Sequence, residues 1–171
     1  VVHNGIIENS NKLKKELEAD GYEFKSQTDT EVITLLITKF LANNNPLDSV
    51  FKTLKKLEGS FALGILFKDD KKTLIGARRG SPLAVGYSKN ENYIGSDSYA
   101  LKSMTNKISY LNDGDVCVVT KDDVSFFDTN LNKVNKKILT LSDDKNESQL
   151  GEYKNFMSKE IFEQPQTVKN C

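Results

Sequence analysis

Apolar residues recur along this chain at two different periods, and the change falls near residue 59. Val1 to Asn4 reads as the end of a buried strand. Asn9 or Ser10 then offers an N-cap, Leu13 and Leu17 follow at helical spacing, and Gly21 stands where a C-cap glycine belongs. Tyr22 to Phe24 reads as a short extended piece. Thr30 can cap a second helix carrying Val32, Ile33, Leu35, Leu36 and Phe40, with a stop at Asn43-Asn44-Asn45-Pro46. Asp48 or Ser49 opens a third helix through Val50, Phe51, Leu54 and Leu57, ending at Gly59. Strand-like runs follow at Phe61 to Phe67, Thr73 to Ala77, Leu83 to Tyr87 and Tyr93 to Gly95. Ser98 to Met104 reads as one or two helical turns. Further strands are predicted at Ile108 to Leu111, Val116 to Thr120 and Val124 to Phe127, with turns at Asn112-Asp113-Gly114 and Lys121-Asp122-Asp123. Three helices followed by about seven short strands predict an α+β layered domain. Thr140 to Glu152 is polar and reads as a linker or long loop. Tyr153 to Val168 carries Phe156, Met157, Ile161 and Phe162 at helical spacing, with Pro165 breaking the pattern. That tail has too little apolar surface to fold alone.

The 171 residues suffice for one domain, and 37% apolar residues suffice for its core. Acidic and basic residues balance at 24 each, which removes any electrostatic drive toward nucleic acid or an anionic membrane. No apolar run approaches the length of a membrane span, and no secretory leader is visible at the start. Cys117 and Cys171 are the only cysteines, so a reduced, cytoplasmic setting is expected and no disulfide framework. One histidine and two scattered cysteines fall short of a zinc site. The chain opens on Val1, in what reads as mid-strand. The expectation is a fragment, or a chain whose beginning has been lost.

Three segments could carry chemistry. Asn4-Gly5 follows an apolar strand. It reads as a hairpin turn, or as an oxyanion hole in which an asparagine amide and a glycine N–H donate to developing negative charge. The following Ile6-Ile7-Glu8-Asn9 makes a poor paired strand, which weakens the turn reading. Thr28-Asp29-Thr30-Glu31 reads as a helix cap with a dipole-complementing Glu31, or as a carboxylate placed to grip a substrate ammonium. Arg78-Arg79-Gly80-Ser81-Pro82-Leu83 holds the only two arginines. They could fork onto a carboxylate or phosphate, or be solvated at a strand end. His3 reads as a core residue. Cys117 lies among valines and reads as inert packing. Nothing around Cys171 is electropositive. No residue qualifies as a nucleophile.

Taken together, these segments resemble a known family. Val1-Val2-His3-Asn4-Gly5-Ile6-Ile7-Glu8-Asn9 resembles the oxyanion-hole segment of glutamine amidotransferases with an N-terminal nucleophile. Gln27-Thr28-Asp29-Thr30-Glu31-Val32 resembles the segment that binds the glutamine amino group. Gly59-Ser60-Phe61-Ala62 is similar to the start of their central strand. Arg78 to Leu83, Gly95-Ser96-Asp97 with Ala100-Leu101, and Met157 to Pro165 are similar to the branch of that family that aminates fructose 6-phosphate. The resemblance implies part of a four-layer αββα N-terminal-nucleophile (Ntn) hydrolase fold. It implies a glutaminase whose ammonia converts fructose 6-phosphate to glucosamine 6-phosphate at an isomerase domain absent here. Asn4 and Gly5 would form the oxyanion hole, and Asp29 would bind the glutamine α-amino group. The family's nucleophilic cysteine, with the strands before Val1, is missing, so the chain alone is expected to be inactive. Residues 1–150 would be the C-terminal part of the glutaminase domain, and 151–171 the passage toward the isomerase domain. No metal or organic cofactor is implied. The partners implied are L-glutamine, fructose 6-phosphate, the missing N-terminal segment, and a second copy in a full-length homodimer. Two alternatives remain: a relative that takes phosphoribosyl pyrophosphate as acceptor, and a non-catalytic glutamine-binding regulatory module.

Overall fold

A computed structural model describes residues 1–141 and 153–169. The chain divides into two compact units, Val1–Leu141 and Ser142–Cys171. In the first, strand β1 (Val2–Ile7) precedes helices α1 (Ser10–Ala19), α2 (Asp29–Leu41) and α3 (Pro46–Leu54). Strands β2 (Gly59–Leu66), β3 (Leu74–Arg79), β4 (Ala84–Tyr87) and β5 (Asn92–Gly95) lead to the short helix α4 (Ser98–Leu101). Strands β6 (Lys107–Tyr110), β7 (Val116–Val119), β8 (Val124–Phe127), β9 (Lys133–Val134) and β10 (Leu139–Thr140) complete it. The strands form two sheets, ordered β1-β2-β3-β7-β8-β9 and β10-β6-β4-β5, with every pairing antiparallel.

Strand alternation assigns the faces. Ile7, Phe61, Leu63, Ile65, Ile75, Ala77 and Val116 point to the helices and bury against Leu13, Leu17, Ile33, Leu36 and Phe51. Their neighbours Ala62, Cys117, Val119 and Phe126 point the other way and meet Leu83, Val85 and Leu111. Ala84 and Ile108 face outward from the second sheet and bury Leu101 of α4. The order is helix, sheet, sheet, helix, an αββα layering with α4 as a thin fourth layer.

Local chemistry fixes the helix ends. At the end of α1 the Gly21 amide bonds the Glu18 carbonyl, and the Tyr22 amide bonds the Leu17 carbonyl. This Schellman closure needs a left-handed residue, and Gly21 supplies φ +89°. At α3 the expected start is too late. Asn45 is the cap, its side chain accepting the Asp48 amide at 2.9 Å, and Pro46 is the first helical residue.

Other expectations need correction. The opening strand is not buried: Val2 and Ile6 are 69% and 68% exposed, since β1 ends its sheet among the described residues. Ile6 and Ile7 are paired in it, opposite Ser60 and Gly59. Tyr22 to Phe24 forms no strand. The two-residue strands β9 and β10 are too short for any period to reveal. In the second unit, α5 (Phe156–Lys169) runs through Pro165 instead of breaking there, and the Asn155 side chain accepts the Ser158 amide at its start. The expected polar linker falls almost entirely on 142–152, and Cys171 on the last residue; both lie outside the described residues.

Asn45→Ala removes the α3 cap and is expected to cost about 1 kcal/mol. The midpoint of thermal unfolding should fall by about 2–4 °C. An unchanged midpoint would mean the cap contributes nothing.

Candidate functional site

Asn4 and Gly5 lie inside β1, opposite Ala62 and Phe61, so they are not a turn. Gly5 has φ +139°, where side chains are rarely tolerated. A Cβ there would collide with the Ser60 carbonyl oxygen and stand 2.8 Å from the Phe61 Cα. Gly59, φ +115°, is equally confined, by the Ile6 carbonyl oxygen and by the Glu8 amide at 3.1 Å. Two glycines on opposite strands let the backbones of β1 and β2 approach this closely.

The hydrogen bonds leaving β1 define its two edges. The Glu8 amide bonds the Glu58 carbonyl at 2.9 Å, toward β2. The Ile7 amide instead donates to Asp29 Oδ2 at 3.0 Å. In an antiparallel strand alternate amides point to alternate sides, so the Gly5 amide is aimed at the same edge as that of Ile7. The Asn4 side chain belongs to the face toward the second sheet. It borders a cavity of about 210 Å³ with Val2, Ala62, Leu83, Ile94 and Gly95. Wider cavities of about 440 and 490 Å³ elsewhere include none of Asn4, Gly5 or Asp29.

Asp29 is the first residue of α2 and does not cap it. The N-cap is Thr28, whose side chain makes no capping bond, and Thr30 is already helical. Freed from capping, the Asp29 carboxylate reaches β1. His3 Nδ1 stands 3.5 Å from its Oδ1 and 3.3 Å from Thr30 Oγ1. The His3 side chain is 2% exposed and that of Asp29 28%. Glu31 turns back to accept from the Lys25 and Ser26 amides and the Ser26 hydroxyl. These bonds, the Ser26 hydroxyl first, hold its carboxyl below the usual range. They gather the loop before α2. Asn9 secures the other end of β1 by donating to the Lys56 carbonyl at 2.8 Å and accepting the Glu58 amide at 3.1 Å.

The arginine pair is structural rather than an anion grip. Arg79 donates to the carbonyls of Leu57, just past α3, and of Leu54, its last residue, at 2.6 and 3.0 Å, and its guanidinium lies 5.0 Å from the Phe61 ring centroid. Arg78 donates to the Leu111 carbonyl at 2.5 Å. Burial pushes the Cys117 thiol up to about 12, so it carries no thiolate at neutral pH and is no nucleophile. Among the described residues no group of three His, Cys, Asp or Glu side chains could hold a metal ion. Sequence reasoning missed three contributors: the Ile7 amide, the His3 imidazole and Asn9. Each finds its partner 22 or more residues away, and no local spacing signals such a contact.

A family profile described as "Glutamine amidotransferase domain" matches residues 1–103. The glutamine–fructose-6-phosphate aminotransferase (isomerizing) of Mesorhizobium japonicum is 46% identical over 171 residues, 99% of this chain and 28% of that protein. The enzyme of the same name from Zymomonas mobilis is 48% identical over 169 residues, 98% of this chain and again 28% of the relative. Among solved structures, the glutamine phosphoribosylpyrophosphate amidotransferase of B. subtilis, complexed with ADP and GMP, superposes with a TM-score of 0.64. It is 26% identical, covering 77% of this chain and 29% of that one. The chain thus spans little more than a quarter of the length of the curated relatives it matches.

Gly5→Ala is expected to destabilise the unit by more than about 1 kcal/mol, because both the backbone angle and the space exclude a Cβ. Thermal unfolding of the variant checks this. A wild-type midpoint would show that β1 can move off β2 at no cost.

Proposed function

The chain belongs to the glutamine amidotransferase domain family, and we propose that it is part of a glutaminase domain whose ammonia aminates fructose 6-phosphate. The match to the isomerizing aminotransferases across 99% of the chain carries this reading. The full-length protein would form glucosamine 6-phosphate and act as a homodimer. A cytoplasmic setting fits the buried, unpaired thiol of Cys117. Residues 1–150 would be the C-terminal part of the glutaminase domain, and 151–171 the passage to the isomerase domain.

The geometry of β1 and α2 supports the following roles. A thiolate supplied from outside this chain attacks the side-chain amide carbon of glutamine, and the carbonyl oxygen takes up negative charge. The Gly5 amide, directed off the edge of β1, and the Asn4 side-chain amide donate to that oxygen. One such donor stabilises the transition state by about 2.7–4 kcal/mol. Ammonia leaves, and water then releases glutamate from the thioester. Asp29 holds the substrate α-ammonium, which fixes the amide for attack. Its position at the first turn of α2, with one oxygen bonded by the Ile7 amide, keeps the carboxylate oriented. A second reading, with phosphoribosyl pyrophosphate as acceptor, is favoured by the structural likeness to the B. subtilis enzyme. It covers less of the chain, at lower identity.

In the natural full-length gene product, Asn4→Ala should lower ammonia release from L-glutamine by about 10²–10³-fold. A near-normal rate would remove Asn4 from the oxyanion hole. Asp29→Asn should raise the KM for glutamine by about tenfold or more while kcat falls less. An unaltered KM would leave Asp29 as a strand-to-helix tie.

A further inference from the structure

We propose that His3 is a positioning residue that orients the Asp29 carboxylate for the glutamine α-ammonium. The proposal rests on the assignment of Asp29 to that ammonium. It starts from an unusual environment: the imidazole is buried, yet one of its two nitrogens has no partner. His3 Nε2 lies within the protein without a hydrogen bond to any described residue. Nδ1 faces Asp29 Oδ1 at 3.5 Å and Thr30 Oγ1 at 3.3 Å.

This arrangement selects a tautomer. With the proton on Nε2, a buried N–H would lack an acceptor, and the Nδ1 lone pair would face a carboxylate. Both features are unfavourable. With the proton on Nδ1, the N–H points into the Asp29–Thr30 pair, and only a lone pair is left without a partner. Asp29 is then held at both oxygens, by the Ile7 amide on Oδ2 and the imidazole beside Oδ1. A carboxylate offers about four acceptor positions, so those left can take an ammonium from the exposed side. A residue needed only for packing would be apolar here. Leucine or phenylalanine would fill the site without stranding a nitrogen.

One strand thereby serves both halves of the reaction. His3 sets the substrate-holding carboxylate on the helix side of β1, while Asn4, the next residue, faces the second sheet. Substrate affinity and transition-state stabilisation are assigned to adjacent residues pointing to opposite faces.

Two substitutions in the full-length gene product separate positioning from packing. His3→Phe keeps the volume and removes the donor. His3→Asn loses volume but places an amide N–H close to where Nδ1 stood. Positioning is expected to raise the KM for L-glutamine about tenfold in the phenylalanine variant, with kcat changed by less than about twofold. The asparagine variant should recover most of the affinity. The opposite order, with phenylalanine like wild type and asparagine impaired, would overturn the proposal in favour of packing. Equal KM in all three proteins would overturn it too. Where His3→Phe does not fold, His3→Leu makes the same comparison. Asp29→Asn is measured beside them. If it leaves KM unchanged, the reading of Asp29 has failed, and His3 falls with it. If it weakens glutamine while His3→Phe does not, only the His3 proposal has failed.

Discussion

Nothing larger than a hydrogen atom fits between Gly5 and the backbone of Ser60 and Phe61. The placement of β1, and of Asn4 and Gly5 on it, follows from that contact. Phe61 is wholly buried in the helix-side core and sits beneath the Arg79 guanidinium, which bonds the Leu54 and Leu57 carbonyls at the end of α3. The helix layer therefore fixes Phe61, Phe61 fixes Gly5, and Gly5 fixes where the neighbouring asparagine and amide point. Arg79 matters to the site through this support.

The second tie is electrostatic. Asp29 forgoes capping α2 and accepts the Ile7 amide across 22 residues of sequence. A helix start favours a carboxylate, and a strand edge leaves an amide in need of an acceptor. Each answers the other's requirement, and the carboxylate remains partly exposed. With Asn9 clamping the chain just past β1, the strand is held at Gly5, Ile7 and Asn9 while its outer edge carries no paired strand among the described residues.

Most elements of the fold were legible in the sequence because burial writes a period into it. The second helix is anchored by Val32, Ile33 and Leu36, and β2 by the run from Phe61 to Ile65, and both stand where their apolar spacing predicts. Ends were less legible, because capping depends on single side chains. Asn45 caps α3 although Asp48 and Ser49 offered equally plausible starts, and Pro165 is carried inside a helix. Strands β9 and β10 span two residues each, below any period. The family was visible in the motifs around Asn4, Asp29 and Gly80. The geometry joining them was not, since His3 meets Thr30, Asn9 meets Lys56 and Arg79 meets Leu54 through tertiary contact alone. A strand residue's exposure is equally a property of its neighbours: Val2 and Ile6 have strand-core composition and an edge position.

The proposed function is that this chain belongs to a protein that passes glutamine-derived ammonia to fructose 6-phosphate. It is tested most directly by assaying the full-length natural gene product for ammonia release from L-glutamine, with and without fructose 6-phosphate. The account predicts hydrolysis coupled to formation of glucosamine 6-phosphate. Hydrolysis indifferent to fructose 6-phosphate, or no hydrolysis by the folded protein, would contradict it.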